Sequence, residues 1–123
     1  MAEDKKKIVF IDDDPNWAYI LPELGQILGY NIKSFHSVDN YYESIEVEDN
    51  VDLLITDIRM PGKSGYEIIK EYKKKNPKSS VMIITAYDTH KLQKFVDKYR
   101  IDSYLLKPFS INEFEQSVES FFG

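Results

Sequence analysis

Five short apolar runs, separated by stretches whose apolar residues recur at helical spacing, leave this chain very few folds to choose from. The runs are IVFI (8–11), NIKSF (31–35), VDLLIT (51–56), VMIIT (81–85) and SYLL (103–106), all of strand length. Three of them are apolar almost throughout, as strands covered on both faces should be, whereas Ile32, Lys33, Ser34 and Phe35 alternate like an edge strand. Between the runs, Trp17, Ile20, Leu21, Leu24, Ile27 and Leu28 form one apolar stripe, closed by Gly29 as a stop. Ile68, Ile69 and Tyr72 form another, and Leu92, Phe95, Val96 and Tyr99 a third. Ile111, Phe114, Val118, Phe121 and Phe122 form the last, with Ser110 as its N-cap. Residues 41–47 carry a weaker helical pattern. Pro22 and Gly25 interrupt the first stripe, and proline there predicts a kink. Five alternations of strand and helix predict an α/β fold, a parallel sheet with helices on both faces.

The size and composition restrict function as well as fold. At 123 residues the chain is read as one domain, 1–123, with no internal repeat. Its 16 Lys and Arg against 21 Asp and Glu leave a net charge of −5, which argues against direct nucleic-acid binding. There is no cysteine, so disulfides, thiolate metal sites and Cys nucleophiles are all excluded. No apolar run is long enough for a membrane span or a signal peptide, and a soluble, cytoplasmic protein is expected.

In open parallel sheets, function gathers at the carboxyl ends of the strands. Here the first strand ends in Asp12 and Asp13, the third in Asp57, the fourth in Thr85 and the fifth in Lys107. Three carboxylates at one rim repel each other unless a cation sits among them. An all-oxygen donor set suits Mg²⁺, or Mn²⁺ in its place. Lys107 adds a mobile positive charge and Thr85 a hydroxyl donor, which completes the parts of a phosphoryl-transfer site. A carboxylate can itself be the nucleophile and become an aspartyl phosphate.

With these residues in place, the chain resembles the receiver domain of two-component response regulators over essentially its whole length. The resemblance is carried by IVFIDDDP, LLITDIRMPGKSG, VMIITAYD and SYLLKPF, in that order. It implies a doubly wound, flavodoxin-like sheet of order 2-1-3-4-5. It also implies that Asp57 accepts a phosphoryl group from a histidine kinase or phosphotransfer protein in a Mg²⁺-dependent reaction. Asp13 would hold the metal directly, Asp12 mainly through water, and Arg59 through its backbone carbonyl. Asp14 is then the N-cap before Pro15. The resemblance further implies a switch in which Thr85 moves onto the phosphoryl group and Tyr104 rotates inward. The face of the fourth helix, fifth strand and last helix would respond, with altered partner binding or a phosphorylation-dependent dimer near Lys91, Lys94 and Tyr104. A cis peptide between Lys107 and Pro108 is implied too. Such a chain is a regulator of a downstream protein or output domain and not an enzyme, since it catalyses only its own phosphorylation and dephosphorylation.

The sequence departs from the family pattern before the fifth strand. There Arg100 and Ile101 replace the usual glycine and alanine, so the fourth helix is expected to end without its usual stop. Two residues are candidates for tuning the lifetime of the acyl phosphate: Arg59, two positions after Asp57, and Tyr87, two positions after Thr85. Neither is suited to activate a water, and Tyr87 is bulky enough to occlude one. The alternative for both is that they point into solvent. Two rival functions share parts of this pattern. A haloacid-dehalogenase-type phosphatase would use the Asp12-x-Asp14 spacing with a Thr and a Lys, and a non-catalytic adaptor would keep the fold and lose the chemistry. His36 and His90 have no partners at metal-ligand spacing.

Overall fold

The computed structural model describes residues 5–44, 51–60, 62 and 64–122. Among them strand and helix alternate as β1 (Lys6–Ile11), α1 (Pro15–Leu28), β2 (Tyr30–Phe35), α2 (Val38–Glu43), β3 (Leu53–Asp57), α3 (Gly65–Lys75), β4 (Ser80–Thr85), α4 (His90–Tyr99), β5 (Ser103–Leu106) and α5 (Ile111–Phe122). All strand pairings are parallel, and the sheet order is β2-β1-β3-β4-β5. The wholly apolar runs are the three central strands, and the alternating run is an edge, as the burial argument requires. The third strand begins at Leu53 and not at Val51, and it extends to Asp57 itself. The weak helical pattern appears as α2, which starts at Val38; residues 45–47 of the expected helix lie outside the described residues.

Alternate residues of each strand feed two separate cores. Ile8, Phe10, Ile55, Met82 and Ile84 pack with Leu21 of α1 and with Phe114 and Val118 of α5. Val9, Ile11, Leu54, Val81 and Ile83 pack with residues of α2, α3 and α4, including Tyr41, Ile68, Ile69, Leu92 and Phe95. This period of two is why the central strands must be apolar on both sides.

The helix ends are set by local chemistry. Asp14 Oδ1 accepts from the Asn16 N–H at 2.9 Å with Pro15 at the first helical position, the capping role expected of it. Ser110 and Glu113 cap α5 reciprocally, each side chain accepting from the other's backbone N–H at 3.0 Å. Pro22 is exposed within α1, which is continuous from Pro15 to Leu28. Gly25 is buried where α1 crosses β2. A Cβ there would come within 2.8 Å of Ile32 Cγ1 and 2.9 Å of the Tyr30 carbonyl oxygen, so the absence of a side chain sets the helix-to-sheet distance.

One expectation is corrected at the end of α4. The helix does carry a left-handed stop, and Arg100 makes it, at φ 53°. The Ile101 N–H then returns to the Val96 carbonyl at 3.0 Å, and Ile101 is buried behind it. The hydrogen bond and the buried isoleucine offset the cost of a conformation that favours glycine.

Candidate functional site

The parallel register builds the site. Ile11 pairs with Thr56, so the chain places Asp12 beside Asp57 one step further along. Asp57 pairs with Ile84, which puts Thr85 one residue beyond it on the neighbouring strand. Thr85 pairs with Leu106, and the Lys107 N–H donates to the Thr85 carbonyl at 2.8 Å. Residues far apart in sequence thus meet because each ends or follows a strand of one sheet. The Lys107–Pro108 peptide is cis, as the resemblance implied.

Asp12, Asp57 and Thr85 are buried, while Asp13 is exposed. Lys107 Nζ lies 2.8 Å from Asp12 Oδ2 and 2.9 Å from Asp57 Oδ2. The other oxygens are held by the backbone: Asp12 Oδ1 accepts from the Asp14 N–H at 3.0 Å, and Asp57 Oδ1 from the Arg59 N–H at 3.3 Å. Burial pushes Asp12 up to about 6, although the Lys107 ammonium and the Asp14 N–H act in the opposite direction. For Lys107, burial disfavours the charged form, but Asp12 and Asp57 outweigh it and the pKa is raised. One ammonium therefore does not satisfy the buried carboxylates.

The donor set fits a hard divalent cation. Asp12, Asp13 and Asp57 each present a carboxylate oxygen within 4.8 Å of the others. Asp12 Oδ2, an ion-pair partner of Lys107, receives no aligned hydrogen bond despite its burial. Oxygen donors at this spacing, with charge left over, are what Mg²⁺ accepts. Asp14 is not a member of this cluster, since its carboxylate is committed to the cap of α1. The Asp-x-Asp arrangement of the phosphatase alternative is therefore not built.

The remaining predicted residues lie around this centre. Arg59 and Tyr87 are both exposed, and the guanidinium carbon sits 4.2 Å from the centre of the Tyr87 ring. Both line a cleft of about 480 Å³, which Thr85 also lines. The Thr85 hydroxyl accepts from the Tyr87 N–H at 3.2 Å. Tyr104, half-buried on β5, accepts a hydrogen bond from Gln93 Nε2 at 2.7 Å. His36 and His90 are exposed.

Two positions that shape the site escape a reading of the sequence. Gly65 opens α3, and a Cβ there would land on the Asp57 carbonyl oxygen, so only glycine lets α3 start this close to the strand end. Its signal was the GKSG stretch after Asp57. Gln93 gave no signal, being one polar residue on a helix.

Comparison with known proteins agrees with this geometry. The family model of the response regulator receiver domain matches residues 8–119. The transcriptional regulatory protein ZraR of Escherichia coli is 31% identical over 119 residues, covering 97% of this chain and 27% of ZraR. MalR of Bacillus subtilis, also a transcriptional regulatory protein, is 30% identical over 115 residues, covering 93% of this chain and 49% of MalR. The chain thus spans half or less of the length of these relatives. Among solved structures, the beryllofluoride-activated DrrB receiver domain superposes with a TM-score of 0.81 at 26% identity, covering 97% of this chain and 98% of that one. No helix among the described residues is long and apolar enough to cross a membrane. Sheet order, acidic cluster and family match lead to one assignment: the chain belongs to the receiver domains of two-component response regulators.

Proposed function

We propose that Asp57 is the phosphoacceptor of a phosphorelay, taking its phosphoryl group from the phosphohistidine of a kinase or phosphotransfer protein in the cytoplasm. The observation that carries this reading is the convergence of Asp12, Asp13 and Asp57 with the Lys107 ammonium on two of the three. Asp12, Asp13, Asp57 and the Arg59 carbonyl would hold Mg²⁺. When bound, the ion neutralises carboxylate and phosphoryl oxygens together. An Asp57 carboxylate oxygen attacks phosphorus and the P–N bond breaks. The electron pair leaves with the imidazole nitrogen, which is then protonated. Lys107 offers fixed positive charge to the phosphoryl oxygens, and the Thr85 hydroxyl can turn its proton toward them.

The domain catalyses this transfer and its own dephosphorylation, and acts on a downstream protein or output domain. Phosphorylation shifts an existing equilibrium of Thr85 and Tyr104, and can do so only by what it gains in the switched arrangement. Partner binding or self-association then changes around Lys91, Lys94 and Tyr104. The Arg59–Tyr87 stack slows loss of the phosphoryl group by limiting the approach of an in-line water.

Mass measurement after incubation with acetyl phosphate tests the reading. A gain of one phosphoryl group is expected in the wild type with Mg²⁺, and none without the metal or in Asp57→Asn. A metal-independent gain, or one that survives Asp57→Asn, would overturn it, and no gain under any condition would favour a non-catalytic adaptor. After removal of the donor, Arg59→Asn and Tyr87→Glu should decay faster than wild type. Equal decay would remove the stack from any role in lifetime.

A further inference from the structure

The amide of Gln93 joins two parts of the molecule that the sequence does not connect. Its Nε2 donates to Asp88 Oδ1 at 2.7 Å and to the Tyr104 hydroxyl at 2.7 Å. An amide nitrogen has two hydrogens, and this geometry uses one for each partner. Asp88 belongs to the loop between β4 and α4, next to Tyr87, whose N–H donates to the Thr85 hydroxyl oxygen at 3.2 Å. Tyr104 stands on β5. A continuous chain of hydrogen bonds and backbone therefore runs from Thr85 through Tyr87 and Asp88 to Gln93 and Tyr104. Each end is a residue with a role in the proposed switch, and Gln93 is the only side chain in it that touches both loop and strand.

We propose that Gln93 is a positioning residue that clasps the β4–α4 loop to Tyr104 and opposes the switched arrangement until Asp57 is phosphorylated. This rests on the phosphoacceptor reading above. When Thr85 moves onto a phosphoryl group, its hydroxyl oxygen is carried away from the Tyr87 N–H and gives up that bond. The loop is then free to carry Asp88 away from Gln93, and the amide loses the partner that fixes it against Tyr104. The clasp lies in the path between the two and costs the phosphoryl group part of its binding free energy. By linkage, a chain without the clasp binds a phosphoryl mimic more tightly, because less has to be broken.

The test uses the full chain, with beryllofluoride and Mg²⁺ as the probe. Bound beryllofluoride is read by fluorine NMR, and Tyr104 by its ring-carbon resonances. Gln93→Leu should bind the probe about fivefold more tightly than wild type, the effect of losing the half-buried bond to Tyr104, with little added by the exposed one to Asp88. Its Tyr104 resonances should lie part-way to their probe-bound positions before any probe is added. Asp88→Ala, on an exposed loop, should shift both readouts in the same direction. The double variant should bind no tighter than Gln93→Leu alone, whereas a purely electrostatic effect of removing Asp88 would add to it. A destabilised helix without a clasp would leave affinity equal or weaker. Unchanged or weaker binding in Gln93→Leu, or additive effects in the double variant, overturns the clasp while leaving the phosphoacceptor reading intact. No bound beryllofluoride in the wild type overturns both.

Discussion

Along β1, Ile8 and Phe10 face the layer of α1 and α5, and Val9 and Ile11 face the layer of α2, α3 and α4. The first layer is held mainly by apolar ring contacts, with Lys6 over the Phe122 ring at 5.7 Å. Phe114 meets Phe10 edge-on, with centroids 6.2 Å apart, and Trp17 stacks on Phe109 at 4.7 Å. The second layer has an apolar floor too, but it is also tied by polar contacts of aromatic side chains. The Tyr42 hydroxyl donates to Glu71, that of Tyr72 to the Val51 carbonyl, and that of Tyr104 accepts from Gln93, while Lys91 lies over Tyr66 and Arg59 over Tyr87. Apolar packing is lost only by opening a cavity, whereas a half-exposed hydrogen bond can be exchanged for another at a net cost of about 1 kcal/mol. In the proposed switch, the polar contacts of the second layer are the ones exchanged for others.

The contrast is broken most severely by Phe114→Ala, which removes a fully buried ring from the first layer. It should cost about 3–5 kcal/mol of stability by urea denaturation. Chain that remains folded should still accept a phosphoryl group, since Phe114 makes none of the site's polar contacts. Gly65→Ala acts on the second layer at the site itself. The added methyl would meet the Asp57 carbonyl, with an overpacking cost of about 1–3 kcal/mol. Its phosphorylation rate should fall more than its stability explains, because the backbone that carries Asp57 has to move. A phosphorylation rate equal to wild type in Gly65→Ala would mean that α3 does not fix the position of Asp57.

The smallest of these effects is a gain. Arg100→Gly relieves the left-handed stop of α4 and should raise stability by about 1 kcal/mol. Its companion in the other layer, Gly29, already has the permissive residue at φ 86°. No gain in Arg100→Gly would show that the arginine side chain stabilises the turn by as much as its backbone conformation costs.

These substitutions also mark where sequence reasoning stops. The strands, their edge and central positions, and the rim of Asp12, Asp13, Asp57, Thr85 and Lys107 were legible because periodicity fixes which residues end each strand. Register then has little freedom in a sheet buried on both faces. The caps by Asp14 and Ser110 were legible for a similar reason, being local. Gly25 and Gly65 were not, because each depends on how closely a helix approaches a strand distant in sequence. Arg100 went unread because the usual signal for a stop is glycine, and here a hydrogen bond from Ile101 and the burial of that residue hold an arginine in its place. Gln93 depends on three segments meeting, which no spacing along one of them encodes.

Amide hydrogen exchange along the whole chain, with and without beryllofluoride and Mg²⁺, asks directly whether the two layers differ in function as they do in packing. Residues 86–104 should exchange at clearly altered rates, while Ile8, Phe10, Ile55 and Met82, which face the layer of α1 and α5, keep theirs. Unchanged exchange over residues 86–104, or changes of equal size in both layers, would contradict the assignment of the switch to the layer of α4 and β5.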